Sequence, residues 1–227
     1  MIVDMKKFVI NLKRRPDRLD AFNRQCPFND IKVIYGFDGK NINEEESARE
    51  RNMVNKFNSL LPGEIGVFIS HLRIYQTMLI EDIPMAFIME DDAIFCDDFL
   101  NKYNQIEKEI PSDTQLLYIG GRFNPNFTMH NCSIVSDHIV RHTTTDKWNG
   151  NDMDRTFHAY IISKDMAEIC INEFYRPEII KDAIDCWILK LSKMKSLPIY
   201  SAQPLLCHSP LVSDSDIRVH HNLSKLK

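Results

Sequence analysis

Residues 83–95 read IPMAFIMEDDAIF. A short apolar run leads into three consecutive acids, Glu90, Asp91 and Asp92, and the chain then turns apolar again. A run this short, bounded by charge, reads as a buried strand. Crowded carboxylates repel one another, and beside a core they are costly to desolvate. Two arrangements relieve that cost. Either the strand end is solvated and its acids cap the next helix, or a cation sits among them. Carboxylate oxygens are the hard ligands that Mg²⁺ or Mn²⁺ prefers, and such an ion can bridge two phosphates. In an extended triplet the first and third side chains share one side. Glu90 and Asp92 are therefore expected to act together while Asp91 points elsewhere.

Working outward, strand and helix patterns alternate. KKFVINL (6–12) reads as a buried strand, and Pro16 suits the first turn of a helix running to about Cys26. IKVIYGFDG (31–39) is a second strand ending in a Gly-bounded turn, and residues 41–57 read as an exposed helix or mobile loop. In residues 62–82, Ile65, Phe68, Ile69, Leu72, Tyr75 and Leu79 recur at three- and four-residue spacing, which is a helix. Further helices are expected over 97–110, over 164–176 after a Ser163 cap, and over 178–194. TQLLYIGG (114–121), HAYIIS (158–163) and part of 197–212 read as strands, and residues 122–157 as a long polar excursion helping to wall a site. The alternation predicts one α/β sandwich over 1–227 with a mostly parallel mixed sheet. In such folds ligands bind at the carboxyl ends of the strands. Residues 11–15, 38–39, 90–92 and 120–121 are thereby expected to share one crevice.

Composition narrows the function classes. The net charge is -4, so no nucleic-acid partner is expected. No apolar run reaches the length of a transmembrane segment, and residues 1–13 have no signal-peptide core. A cytoplasmic chain, at most peripheral to a membrane, is the expectation. Its six cysteines are scattered and are expected to be reduced; the sequons at Asn126, Asn131 and Asn222 are then chance matches. With seven glycines there is no phosphate loop of the G-x-x-x-x-G-K-[ST] type and no kinase-like Gly-rich loop.

The run GEIGVFISHL (63–72) followed by AFIMEDDAIF (86–95) resembles the glycosyltransferase family 25 pattern, in which G-E-x-G-x-x-x-S-H precedes a strand ending in E-D-D. FVINLKRRPDR (8–18), YGFDG (35–39), HAYIISKDMAE (158–168), AIDCWI (183–188) and PLVSDSDI (210–217) resemble further segments of that family, in the same order. Cys186 lies between Asp185 and Trp187, where the family has a D-W pair. The resemblance implies a GT-A-type nucleotide-binding sandwich. It also implies a UDP-sugar donor, usually UDP-galactose, and a divalent metal, Mn²⁺ or Mg²⁺. The implied transfer is inverting and β-linked. Acceptors in that family include lipooligosaccharide glycans and collagen hydroxylysine.

On that resemblance, Glu90 and Asp92 are the expected metal ligands, and Asp91 lies on the donor side. His208 is a third candidate ligand by fold-level analogy, against a plain turn histidine. Asn11, Arg15 and Arg18 follow the first strand, where arginines can grip phosphates bidentately or simply decorate a surface turn. Asp38 can accept from uracil or ribose, or be an ordinary Asp-Gly turn residue. Glu64 is a donor-side candidate or a first-turn acid on the helix dipole. Ser70 and His71 are expected near the donor, against satisfied core residues. Asp182 and Asp185 are expected one helical turn apart on a shared face. Asp185 is the candidate base for the acceptor hydroxyl. Trp148 and Trp187 are sugar-stacking candidates, with a core role the alternative for Trp187. A non-catalytic transferase-like protein binding a glycan or a partner is the competing expectation.

Overall fold

A computed structural model of the chain describes residues 5–40, 52–122, 132–143 and 156–209. Trp148, the three sequons, residues 41–51 and the segment 210–217 fall outside the described residues, as does most of the 122–157 excursion.

β1 (Lys6–Asn11), α1 (Pro16–Gln25) and β2 (Ile31–Tyr35) open the chain. α2 (Pro62–Ile80), β3 (Met85–Glu90), β4 (Ile94–Phe95) and α3 (Phe99–Glu109) follow. Then come β5 (Leu116–Tyr118), β6 (Gly120–Arg122), β7 (Cys132–Ile134) and β8 (Ile139–His142). β9 (Ala159–Ser163), α4 (Lys164–Phe174), α5 (Ile184–Lys195), β10 (Ile199–Ala202) and β11 (Cys207–Ser209) complete it.

The main sheet has the order β2-β1-β3-β9-β5-β10-β8-β7, and β4-β11-β6 form a small second sheet. The predicted α/β sandwich is present, but strand directions are more mixed than a mostly parallel sheet. β1–β2, β1–β3 and β5–β10 are parallel, whereas β9 runs antiparallel between β3 and β5. β7 and β8 form an antiparallel hairpin inside the long polar excursion.

Side chains alternate across the sheet with a period of two. Phe8, Ile88 and Tyr160 pack on one face beneath α2, α4 and α5. Val9, Phe87 and Ile161 pack on the other beneath α1 and α3. Burial on both faces is why these strands read as unbroken apolar runs. α2 is buried through most of its length, Ser70 and His71 included, which fits a helix that is apolar nearly all round. Ser163 caps α4 as expected, its hydroxyl accepting from Met166 N at 3.0 Å.

The helix expected from residue 178 begins only at Ile184. Ile180 is instead drawn into backbone bonds with the segment before α2. Its N–H reaches Lys56 O at 2.8 Å, and its carbonyl accepts from Asn58 N at 3.0 Å. Those bonds hold 178–183 out of helical geometry. Asp182 therefore lies ahead of the helix, paired with Lys190 at 2.6 Å, and does not share a helical face with Asp185.

The order β2-β1-β3 makes the chain reverse its direction of travel across the sheet at β1. That switch point opens a crevice at the carboxyl ends of β1 and β3. Two glycines let the turn after β2 close one wall of it. A Cβ on Gly39 would stand 1.6 Å from the Pro62 carbonyl oxygen, and one on Gly66 2.7 Å from that of Phe37. Only bare backbone fits where this turn meets the first turns of α2.

Candidate active site

Glu90 is the last residue of β3, and its N–H bonds to the His158 carbonyl at 2.9 Å. That bond sets the start of β9 directly against the acidic turn. Ala93 N bonds back to Glu90 O at 3.1 Å, closing a turn that returns Asp92 toward Glu90. His158 Nδ1 lies 3.4 Å from Glu90 Oε2 and 3.3 Å from Asp92 Oδ1. One ligand atom from each of Glu90, Asp92 and His158 lies within 4.8 Å of the others. Asp92 Oδ1 and His158 Nδ1 are buried without a hydrogen-bond partner. The two face each other at 3.3 Å without forming a well-aligned hydrogen bond, so both keep bonding capacity for a further ligand. Two carboxylates and an imidazole fit a divalent cation.

Without a cation, His158 supplies the positive charge. Burial alone would lower its pKa, but the Asp92 and Glu90 carboxylates close beside it raise it to about 10. Burial would raise the Glu90 pKa, yet His158 and His71 hold it well below the usual carboxylate range. The sign of the pH dependence follows. A histidine raised from 6.5 to about 10 gives stability that is full below about pH 6.5 and lost as pH rises toward 10. In EDTA the unfolding midpoint of the chain should therefore fall between pH 7 and 9.5. The share from His158 is at most about 1.4 kcal/mol per pH unit for its one proton. Thermal melts of the wild type and His158→Gln check this. The variant should show the shallower slope, and equal slopes would refute it.

Asp91 points away from the cluster. It accepts from Asn11 Nδ2 at 2.7 Å and is ion-paired with Arg18. Burial pushes its pKa up to about 6 against the opposing pull of Arg18 and Asn11. Arg18 also lies 3.3 Å from Asp92 Oδ2, so one guanidinium spans two of the three acids. Asn11 is buried, donates a second bond to Arg15 O at 2.9 Å, and keeps its own Oδ1 unsatisfied. Asn11, Arg18 and Asp38 line the crevice together with the acidic turn, and so do Arg14 and Lys40.

Other expected site residues land differently. Arg15 turns to Asp17 at 2.9 Å and is not among the residues lining the crevice; Arg14 lines it instead, paired with Asp38 at 2.6 Å. Glu64 accepts from Leu61 N at 2.8 Å, so it serves the start of α2. Ser70 lies in the crevice floor, accepting from Phe37 N at 2.8 Å and donating to Gly66 O at 2.6 Å. It ties the glycine turn to α2. His71 is also in the floor and fully buried. Trp187 packs on Phe68 at 5.1 Å between ring centroids, within the core. Asp185 sits in the first turn of α5, its Oδ1 accepting from Cys186 N at 2.8 Å. Burial raises its pKa, and the charge of Glu90 adds to the shift.

His208 lies on β11, in register with Ile94 and Gly121 of the small sheet. The imidazole in the acidic cluster is that of His158, which the sequence reading had passed over as the first residue of a strand. Arg14 was missed as well. Its only signal was adjacency to Arg15, because which arginine faces the crevice depends on how α1 leaves β1. Among the described residues no helix is long and apolar enough to cross a membrane.

The chain is similar in sequence to known proteins. The chain is 31% identical over 125 residues to procollagen galactosyltransferase 2 of Mus musculus, covering 50% of this chain and 20% of that protein. It is 25% identical over 200 residues to the procollagen lysyl hydroxylase and glycosyltransferase of Acanthamoeba polyphaga mimivirus, covering 77% and 20%. It is 26% identical over 128 residues to the inactive glycosyltransferase 25 family member 3 of Homo sapiens, covering 50% and 21%. The chain thus spans about a fifth of the length of these curated relatives. The model of glycosyltransferase family 25 (LPS biosynthesis protein) matches residues 4–186. Together with the acidic strand end and the crevice beside it, that match means that the chain belongs to glycosyltransferase family 25.

Proposed function

We propose that the chain transfers a hexose, galactose in the first instance, from a UDP-sugar to a hydroxyl of a glycan or a hydroxylysine-type acceptor. The convergence of Glu90, Asp92 and His158 at the switch point of the sheet, two of their buried ligand atoms without a well-formed hydrogen bond, is the observation that supports this most. These three would hold a divalent cation, whose chemistry is to neutralise a diphosphate leaving group. The carboxylates suit Mg²⁺ and Mn²⁺ alike, and the imidazole tilts the choice toward Mn²⁺. His208 is not needed for this set.

The chain's own side chains account for the rest. Arg14, Arg18 and Lys40 line the crevice as a cationic wall suited to phosphate oxygens. Asn11 Oδ1 offers an unsatisfied acceptor, and the Asp38 carboxylate, paired with Arg14, a further acceptor in the crevice, for the N–H and O–H groups of a nucleoside. Asp185, its pKa raised by burial, takes the proton of the attacking hydroxyl. Inversion at the anomeric carbon goes with this single displacement. The galactosyltransferase named among the relatives supports galactose as donor sugar and a collagen-type acceptor as the first to try.

The test is a screen of nucleotide sugars for Mn²⁺-dependent release of the nucleoside diphosphate. UDP-galactose should give the largest signal, and no turnover of any nucleotide sugar would refute the reading. One observation favours a second reading, a non-catalytic binder: the likeness to an inactive family member. Mn²⁺-dependent UDP binding without turnover in the same screen would select it.

A further inference from the structure

Glu90 is also gripped from the core side. Its Oε1 lies 3.4 Å from His71 Nε2; His71 Nδ1 lies 2.6 Å from Tyr160 Oη; and Tyr160 Oη lies 2.8 Å from Tyr75 Oη. His71, Tyr160 and Tyr75 are all fully buried. They stand on α2 and β9, so the chain of polar atoms crosses from strand to helix and back through apolar packing. Phenylalanine or leucine would fill the same space without the cost of burying polar groups. The polar atoms therefore ask for an explanation beyond packing.

Counting protons gives the chain a direction. The Glu90 carboxylate only accepts, so His71 must present Nε2–H to it. In the neutral imidazole Nδ1 is then a bare acceptor, to which Tyr160 O–H donates. Tyr160 oxygen is left to accept, so Tyr75 O–H donates to Tyr160. Every donor of this relay points toward Glu90, and each side-chain polar atom of His71, Tyr160 and Tyr75 has a partner. Both nitrogens of His71 are consumed within the protein. Tyr160 also braces the second ligand: its ring stacks on Phe157 at 4.3 Å between centroids, and Phe157 immediately precedes His158.

We propose that His71, Tyr160 and Tyr75 are positioning residues that fix the orientation of the Glu90 carboxylate and thereby set the affinity of the Glu90–Asp92–His158 centre for its divalent cation. This rests on the metal reading of that centre. His71 acts through Glu90, both of its ring nitrogens being engaged within the protein. Groups that hydrogen-bond a metal-ligating carboxylate typically contribute about 10–100-fold to metal affinity.

The experiment is titration of the metal-free chain with Mn²⁺ alone. Calorimetry and the electron paramagnetic resonance signal of free Mn²⁺ are read on the wild type, His71→Phe, His71→Gln and Tyr160→Phe. His71→Phe, which loses both bonds, should weaken Mn²⁺ binding about 10–100-fold. Tyr160→Phe keeps the stacked ring and loses only the hydroxyl, and should weaken binding in the same direction toward the lower end of that range. His71→Gln keeps an N–H donor for Glu90 and should bind more tightly than His71→Phe. A merely structural role would lower the unfolding midpoint in EDTA and leave the Mn²⁺ affinity of the folded variants at the wild-type value; that result overturns the proposal. Should His71→Phe fail to fold, Tyr160→Phe decides alone. A wild type that binds no Mn²⁺ overturns the metal reading together with this one, whereas a wild type that binds, with variants that match it, overturns this one only.

Discussion

Asp92→Ala is expected to lower Mn²⁺-dependent turnover of the UDP-sugar by roughly 10²–10⁴-fold, the several kcal/mol that a bound cation contributes to leaving-group stabilisation. The residue earns this weight from its position. Its Oδ1 is buried, faces His158 at 3.3 Å and has no hydrogen-bond partner, while its Oδ2 meets Arg18. Removing the carboxylate takes away one of two anionic ligands and leaves His158 with Glu90 alone. Arg18 keeps its pairing with Asp91, so the cationic wall should survive. The variant should therefore fold and still bind UDP weakly, but without the gain from Mn²⁺ seen in the wild type. Steady-state rates and Mn²⁺ titrations measure both. Turnover within a few-fold of the wild type would mean that Asp92 holds no catalytic ion.

Asp185→Asn is expected to cut transfer by a similar factor for another reason. A positioned general base contributes about 10²–10⁴-fold. Asparagine keeps the size and an oxygen for the Cys186 N–H, so the start of α5 should persist. UDP and Mn²⁺ binding should stay close to wild type, which separates this variant from Asp92→Ala. In the wild type the acid limb of the rate profile should lie above the ordinary aspartate range. Asp185 must be ionised to take a proton, and burial raises its pKa. Loss of Mn²⁺ binding in Asp185→Asn, or an unchanged transfer rate, would remove Asp185 from the role of base.

Much of this was legible in the chain itself. The apolar run before Glu90, the three- and four-residue spacing through α2 and the Ser163 cap are local signals, and each sits where the sequence puts it. Local signals also misled. Residues 178–194 have a continuous helical pattern, but backbone bonds from Lys56 and Asn58 claim Ile180, so the helix starts late and Asp182 parts from Asp185. Ser70 and His71, expected near the donor from their place in a motif, do lie in the floor of the crevice. The structure gives all their hydrogen-bonding atoms internal partners, which makes one a clamp on the glycine turn and the other a support for Glu90.

What the sequence determined by itself is the α/β alternation and an acidic strand end needing positive charge, because both are written in residues close together along the chain. What only the tertiary structure decided is which group answers those acids. His158 reaches Glu90 because β9 enters antiparallel beside β3, with Ala159 in register with Met89, while His208 is carried into the small sheet beside Ile94. A register slip of one residue would turn every β9 side chain to the opposite face. That register is held by two packed faces at once, not by any local run of residues.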